Sequence, residues 1–177
     1  PRTGLPNVFE SWPEYQRHVD ALVNAGLIED ATKLWWDVRP SHRYPTLEMR
    51  ITDVCTRIDD AVAIAALFMC ILRMLYRLKK SNQRWRQYAS MLVEENRWRA
   101  QRYGFDEGLM DFGKGELVPC RDLLEELLEL VAEDAQALDC VKEVGHCRKI
   151  IKRGSGAHRQ LAVFTQAIIG GAGPKDA

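Results

Sequence analysis

Two short stretches of this chain set a carboxylate and a guanidinium two residues apart. Asp37 and Arg39 stand in Leu34-Trp35-Trp36-Asp37-Val38-Arg39, and Glu48 and Arg50 in Thr46-Leu47-Glu48-Met49-Arg50-Ile51-Thr52. Such a pair suits a metal–phosphate site. The carboxylate is a hard oxygen ligand for Mg²⁺. The arginine offers a planar fork matched to phosphate oxygens and stays charged at any working pH. The plainer chemistry for the same residues is cross-strand ion pairing on a solvated sheet face. Spacing alone leaves both open.

Other candidates are sparser. Arg102 falls on the same side of a helical wheel as Met91 and Trp98, so partial burial is expected, either as an anion contact or as a stem packed on Trp98. Gly154-Ser155-Gly156 could cradle an anion at a helix N-terminus, with His158 and Arg159 just inside. Its plain role is one helix stop followed by one helix start. His146-Cys147 and Cys140 lack the spacing of a zinc site. Neither GxxxxGK[ST] nor GxGxxG occurs, which removes the P-loop and the dinucleotide fingerprint.

The elements that must hold these residues follow from pattern. Leu34, Trp36 and Val38 alternate with Trp35, Asp37 and Arg39, and Leu47, Met49 and Ile51 alternate with polar neighbours. Period-two alternation predicts strands at about 34–39 and 46–52, each with one buried face. If they pair, their polar faces coincide, and their apolar sides are expected to pack on the Ala61–Leu72 run. Ser11-Trp12-Pro13-Glu14 has capping-box form and opens a helix over 13–24 that stops at Gly26. Helices are predicted over 59–79, 83–102, about 123–131, 136–152 and 156–169. Leu109–Asp111 and Glu116–Val118 flank a Gly-rich turn and read as a hairpin. The fold class is therefore α+β and predominantly helical. Two strands and a hairpin make no substantial sheet alone, so the strands either pack on helices or belong to a larger sheet.

The 177 residues make about one domain, long enough to bury a real core. Lys plus Arg and Asp plus Glu stand at 25 each, so no net charge draws the protein to nucleic acid or membrane. Residues 71–102 carry net +7 with interleaved aromatics, but residues 103–143 carry net −9. Adjacent opposite blocks are expected to satisfy each other within the chain or across a homo-oligomer rather than bind RNA. Five cysteines with no CxxC fit a reducing compartment. The longest uncharged apolar run has 12 residues, too short for a bilayer. With no signal-peptide pattern at the start, a cytoplasmic location is expected.

Trp36-Asp37-Val38-Arg39-Pro40-Ser41, followed by Pro45-Thr46-Leu47-Glu48-Met49-Arg50-Ile51-Thr52-Asp53, resembles the paired signature of the bacterial carboxylate–amine ligases, the type 2 glutamate–cysteine ligases. The resemblance continues through Asn96-Arg97-Trp98-Arg99-Ala100-Gln101-Arg102-Tyr103-Gly104 and reaches Gly154-Ser155-Gly156-Ala157-His158-Arg159-Gln160. It implies a glutamine-synthetase-like fold with an antiparallel catalytic sheet, to which the two strands would belong. It implies ATP and Mg²⁺ as cofactors, and glutamate plus an amine such as cysteine as substrates. It makes Glu48 a metal ligand and Arg50 a phosphate contact, with Arg39 catalytic beside them and Arg102 and Arg159 candidates for binding ATP. Members of that family are about twice this length and carry a Gly-x-Glu-x-Glu strand in an N-terminal half that has no counterpart here. Residues 1–177 are thus expected to be the C-terminal half of a catalytic domain, inactive alone and partnered by the missing N-terminal half. The competing expectation is a non-catalytic helical interaction module.

Overall fold

The computed structural model describes residues 2–171 and 173. The chain is 56% helical with a few short strands, α+β and mainly helical as expected; among the described residues the strands form three two-stranded sheets. It divides into two compact units, residues 1–53 and 54–177.

The N-terminal unit contains β1 (Thr3–Gly4), α1 (Trp12–Asn24), a 3-10 turn (Ala31–Lys33), β2 (Trp35–Trp36), β3 (Val38–Pro40) and β4 (Leu47–Met49). Helix α1 starts where the cap motif places it. Ser11 Oγ accepts the Glu14 N–H at 3.3 Å, while the Glu14 carboxylate accepts from the Glu10 N–H at 2.7 Å. The strand expected over 34–39 is real but changes partner at Asp37. Before it, β2 pairs in parallel with β1; after it, β3 pairs antiparallel with β4. The Asp37 N–H donates to Gly4 O and its carbonyl accepts from the Arg50 and Ile51 N–H groups, so one residue serves both ladders. The strand expected over 46–52 is shorter, at 47–49.

Burial departs from simple alternation. Leu34 and Trp36 pack with Phe9, Tyr15, Val19, Leu22 and Ile28 in this unit's own core, so the first strand's apolar side is covered by α1. Arg39 and Asp37 are also buried, because their polar atoms are engaged inside the fold. Leu47 and Ile51 stay about half exposed, so the face of β4 that alternation marks as buried is open.

The C-terminal unit contains α2 (Ile58–Lys80), α3 (Ser90–Tyr103), β5 (Leu109–Asp111), β6 (Glu116–Val118), α4 (Cys120–Leu130), α5 (Ala132–Ala137), α6 (Val141–Gly145), α7 (Cys147–Arg153) and α8 (Gly156–Ile169). Helix α2 carries Asp59 and Asp60 in its first turn and Arg77, Lys79 and Lys80 in its last, each matching the nearer end of the helix dipole. Its Ala66, Cys70 and Met74 meet Leu128, Val131, Ala135 and Val144 in the core. The helix expected over 83–102 forms only from Ser90, and the one expected over 136–152 breaks into α5, α6 and α7. The first break sits at Asp139, whose φ of +51° no α-helix accommodates. The β5–β6 hairpin forms as read, with Met110 opposite Leu117.

Two buried carboxylates clamp this unit. Asp134, fully buried, accepts from Arg73 Nη1 at 2.5 Å and Arg77 Nη2 at 2.9 Å. Asp60 meets His146 Nε2 at 2.9 Å and also pairs with Arg153. Burial works to raise the Asp134 pKa, but the two guanidiniums outweigh it and hold it below the ordinary carboxylate value. Asp60 is likewise held low, chiefly by Arg153.

Candidate active site

Antiparallel pairing of β3 and β4 sets Arg39 directly opposite Glu48. The Arg39 Nε and Nη2 both reach Glu48 Oε2 at 2.9 Å. Its remaining terminal nitrogen, Nη1, donates to the carbonyls of Thr32 and Leu34, each at 2.7 Å. The 3-10 turn that offers these carbonyls is itself started by Asp30, whose carboxylate accepts the Thr32 N–H at 2.7 Å. Arg39 is thereby fixed at one end to backbone and at the other to Glu48, and it orients that carboxylate.

Arg50 approaches the same oxygen at 3.7 Å, with its side chain 39% exposed. Glu48 retains 35% exposure and faces a cavity of about 520 Å³ that is also lined by Ser41, His42 and Tyr44. These three belong to the loop joining the two strands. In the sequence they appear only as the gap between two motifs, and pairing of the strands is what brings the gap over Glu48. The Ser41 hydroxyl accepts the Tyr44 N–H at 3.3 Å and shapes the loop.

An oriented carboxylate at a cavity wall, with Asp30 also lining the cavity but accepting the Thr32 N–H, suits Mg²⁺, which takes one or two protein carboxylates and completes its shell with phosphate oxygens and water. A closed protein cage is a different matter. Among the described residues no group of three or more His, Cys, Asp or Glu is placed to hold a metal.

Arg39, Glu48 and Arg50 are thus brought together within the N-terminal unit. Arg102 and Arg159 lie in the other unit and border different cavities. Arg102 is exposed rather than partly buried, as are Met91 and Trp98, because α3 buries none of its residues. It borders a cavity of about 780 Å³ with Tyr103, Leu123 and His158. Arg159 is exposed beside a cavity of about 890 Å³ with Thr56, Gln160 and Phe164.

The motifs around these arginines also carry structural residues that pattern did not single out. The Asn96 side-chain amide donates to Met110 O at 2.9 Å and accepts the Met110 N–H at 2.8 Å, pinning α3 to the hairpin. Arg99 adds bonds to the carbonyls of Glu107 and Gly108. At the start of α8, His158 Nδ1 accepts from the Ser155 N–H at 3.1 Å and lies 2.7 Å from its hydroxyl, so the Gly-Ser-Gly segment is a helix stop and a cap. Gly154 has φ +87°, and a Cβ there would lie 2.9 Å from that of His158.

A mainly helical chain that sets a carboxylate and two arginines on a short antiparallel strand pair, ahead of an Asn-Arg helix and a Gly-Ser-Gly cap, carries the ordered pattern of one ligase family. The sequence profile of glutamate–cysteine ligase family 2 matches residues 1–174, and the chain belongs to that family. A Rhodospirillum rubrum protein named "Putative glutamate--cysteine ligase 2" is 67% identical over 171 residues, covering 97% of this chain and 44% of its own length. Proteins of the same name from Paracoccus denitrificans and Ruegeria pomeroyi are each 52% identical, covering 100% and 97% of this chain but 47% and 44% of their own lengths. The chain spans less than half the length of these relatives.

Proposed function

We propose that this chain supplies the C-terminal part of an ATP-dependent carboxylate–amine ligase site of the glutamate–cysteine type, acting in the cytoplasm. The observation that carries the reading is the Arg39–Glu48–Arg50 arrangement, with a buried arginine aiming a partly exposed carboxylate and a second, exposed guanidinium 3.7 Å away. The family match and the relatives' shared name support it. The rest of the site, including further metal ligands and strands continuing a glutamine-synthetase-like sheet, would come from an N-terminal half. The chain alone is then inactive.

The chemistry is two displacements. An oxygen of glutamate's side-chain carboxylate attacks the γ-phosphorus of ATP, the bond to the β-phosphate oxygen breaks, and ADP leaves. The amine nitrogen, classically that of cysteine, then attacks the acyl carbon, phosphate departs with the C–O electron pair, and the nitrogen loses a proton. Such transfer depends on positioning and charge neutralisation rather than on covalent help from the protein. Mg²⁺ bound with ATP would offset phosphate charge, with Glu48 as one oxygen ligand. Arg50, half exposed and held only at 3.7 Å, is free to swing its fork onto phosphate oxygens. Arg39 keeps Glu48 in one rotamer. Arg102 and Arg159, exposed at cavities of their own unit, are proposed as ATP contacts from the family resemblance alone.

The test joins the R. rubrum relative's unmatched stretch ahead of Pro1 and measures glutamate-dependent ADP release. Glu48→Gln and Arg50→Ala are each expected to lower turnover at least about a hundredfold with folding intact. Near-normal turnover in either variant overturns the reading.

A further inference from the structure

Helix α2 has a second apolar face that no described residue of its own unit covers. Its buried stripe is Ala63, Ala66, Cys70 and Met74. Roughly 120° around the helix, Ile58, Val62, Ala65, Met69, Leu72 and Tyr76 follow at spacings of four and three residues, the alternation of a packing seam. Ile58 is 80% exposed, Met69 54% and Tyr76 60%. From Ala61 to Leu72 the helix carries no charged residue on any face. A helix apolar all round is normally buried all round, and an apolar strip about 27 Å long marks a contact surface.

Three occupants have the right chemistry: a bilayer, a second copy, or more of the same polypeptide. At 23 residues α2 is long and apolar enough to cross a bilayer by length and composition alone, but its uncharged run is only about 18 Å long, short of a hydrocarbon core of about 30 Å. Asp60, Arg73 and Arg77, engaged in buried ion pairs, flank it and tie the helix to a soluble core. More polypeptide is the occupant with independent support, because the relatives carry over half their length outside the stretch that matches this chain.

We infer that the Ile58–Tyr76 seam of α2 is the surface on which the family's other half docks, an intramolecular interface in the joined protein. This rests on the two-half reading above and names the face of this chain that receives the partner. The occupant must present an apolar surface about 27 Å long without buried charge, since α2 offers no countercharge between Ala61 and Leu72.

The test places single thiols on the seam, Met69→Cys and Tyr76→Cys, and follows maleimide labelling of each site by tandem mass spectrometry. The neighbouring Cys70 competes little, being buried with its thiol pushed up to about 12 by that burial and by Cys140. In the 177-residue chain at low micromolar concentration both positions should label at the rate of an exposed thiol. In the joined R. rubrum chimera both should slow at least tenfold, to the same extent across a dilution series. Equal rates in the two proteins overturn the inference. So does protection of the short chain that rises with its concentration and tracks a dimer, or that needs phosphatidylglycerol vesicles. Glutamate-dependent ADP release by the same chimera reports separately on the ligase reading, so the two can fail independently.

Discussion

Each unit of this protein builds one carboxylate against two arginines, and the two clusters differ in burial. Asp134 is wholly enclosed, with both of its oxygens taken by Arg73 and Arg77. Glu48 keeps a third of its surface, and Arg39 and Arg50 both come to a single oxygen, Oε2. In the first cluster both carboxylate oxygens are spent on holding helices together, while Arg73 and Arg77 keep about a third of their side-chain surface. In the second, one arginine is buried to orient the carboxylate while the other is exposed and 3.7 Å away. Identical residue types thus make a clamp where water is excluded and a binding element where a cavity opens. Exposure of the acid and the longer contact of one guanidinium separate the two.

The largest expected contrast pairs Glu48→Gln with Asp134→Asn in the joined chimera. The first should lower turnover at least about a hundredfold and cost only about 1 kcal/mol, because an amide oxygen can still accept from Arg39. The second should cost roughly 2–3 kcal/mol of stability by urea unfolding and affect turnover only through the fraction unfolded. If Glu48→Gln instead behaves like Asp134→Asn, the two clusters are both clamps.

Arg39 against Arg50 sharpens the comparison within one cluster. Arg39→Ala strips the only described side-chain donor from the Thr32 and Leu34 carbonyls and should cost about 2 kcal/mol in the N-terminal unit. Arg50→Ala should cost under about 0.5 kcal/mol, since its pair is exposed and long. Thermal melts of both variants check this.

Acid should act on the clamps. Asp134 and Asp60 have folded pKa values below their unfolded ones. Their contribution is therefore present above the unfolded carboxylate pKa of about 3.9 and lost as pH falls through the lower folded value. Urea midpoints should hold between about pH 7 and 5 and fall below about pH 4. Asp134→Asn should remove part of that fall. An unchanged pH profile in this variant would mean that its arginines do not set the acid limit.

Much of the secondary structure was legible because local rules govern it. Ser11 and Pro13 opened α1, the acidic and basic ends of α2 matched its dipole, and the β5–β6 hairpin ran over the residues its pattern marked. The misses have local causes that pattern does not encode. Asp139 turns to positive φ and breaks a helix that periodicity carried through, and residues 83–89 are non-helical and exposed apart from Tyr88, which packs on Phe112. Within the candidate site, alternation correctly put Arg39 and Glu48 on pairing strands. It could not tell that Arg39 would be buried on two carbonyls, nor that Ser41, His42 and Tyr44 would border the cavity.

By itself the sequence determined where most helices and strands lie, and that a carboxylate and a guanidinium stand two residues apart in one extended segment. Backbone sterics, capping and side-chain periodicity act over a few residues, so they can be read directly. Only the tertiary structure decided which carboxylate is enclosed and which stays open, and which helix face is left uncovered. Those outcomes depend on contacts between residues tens of positions apart, such as Arg73 with Asp134, which no local pattern specifies.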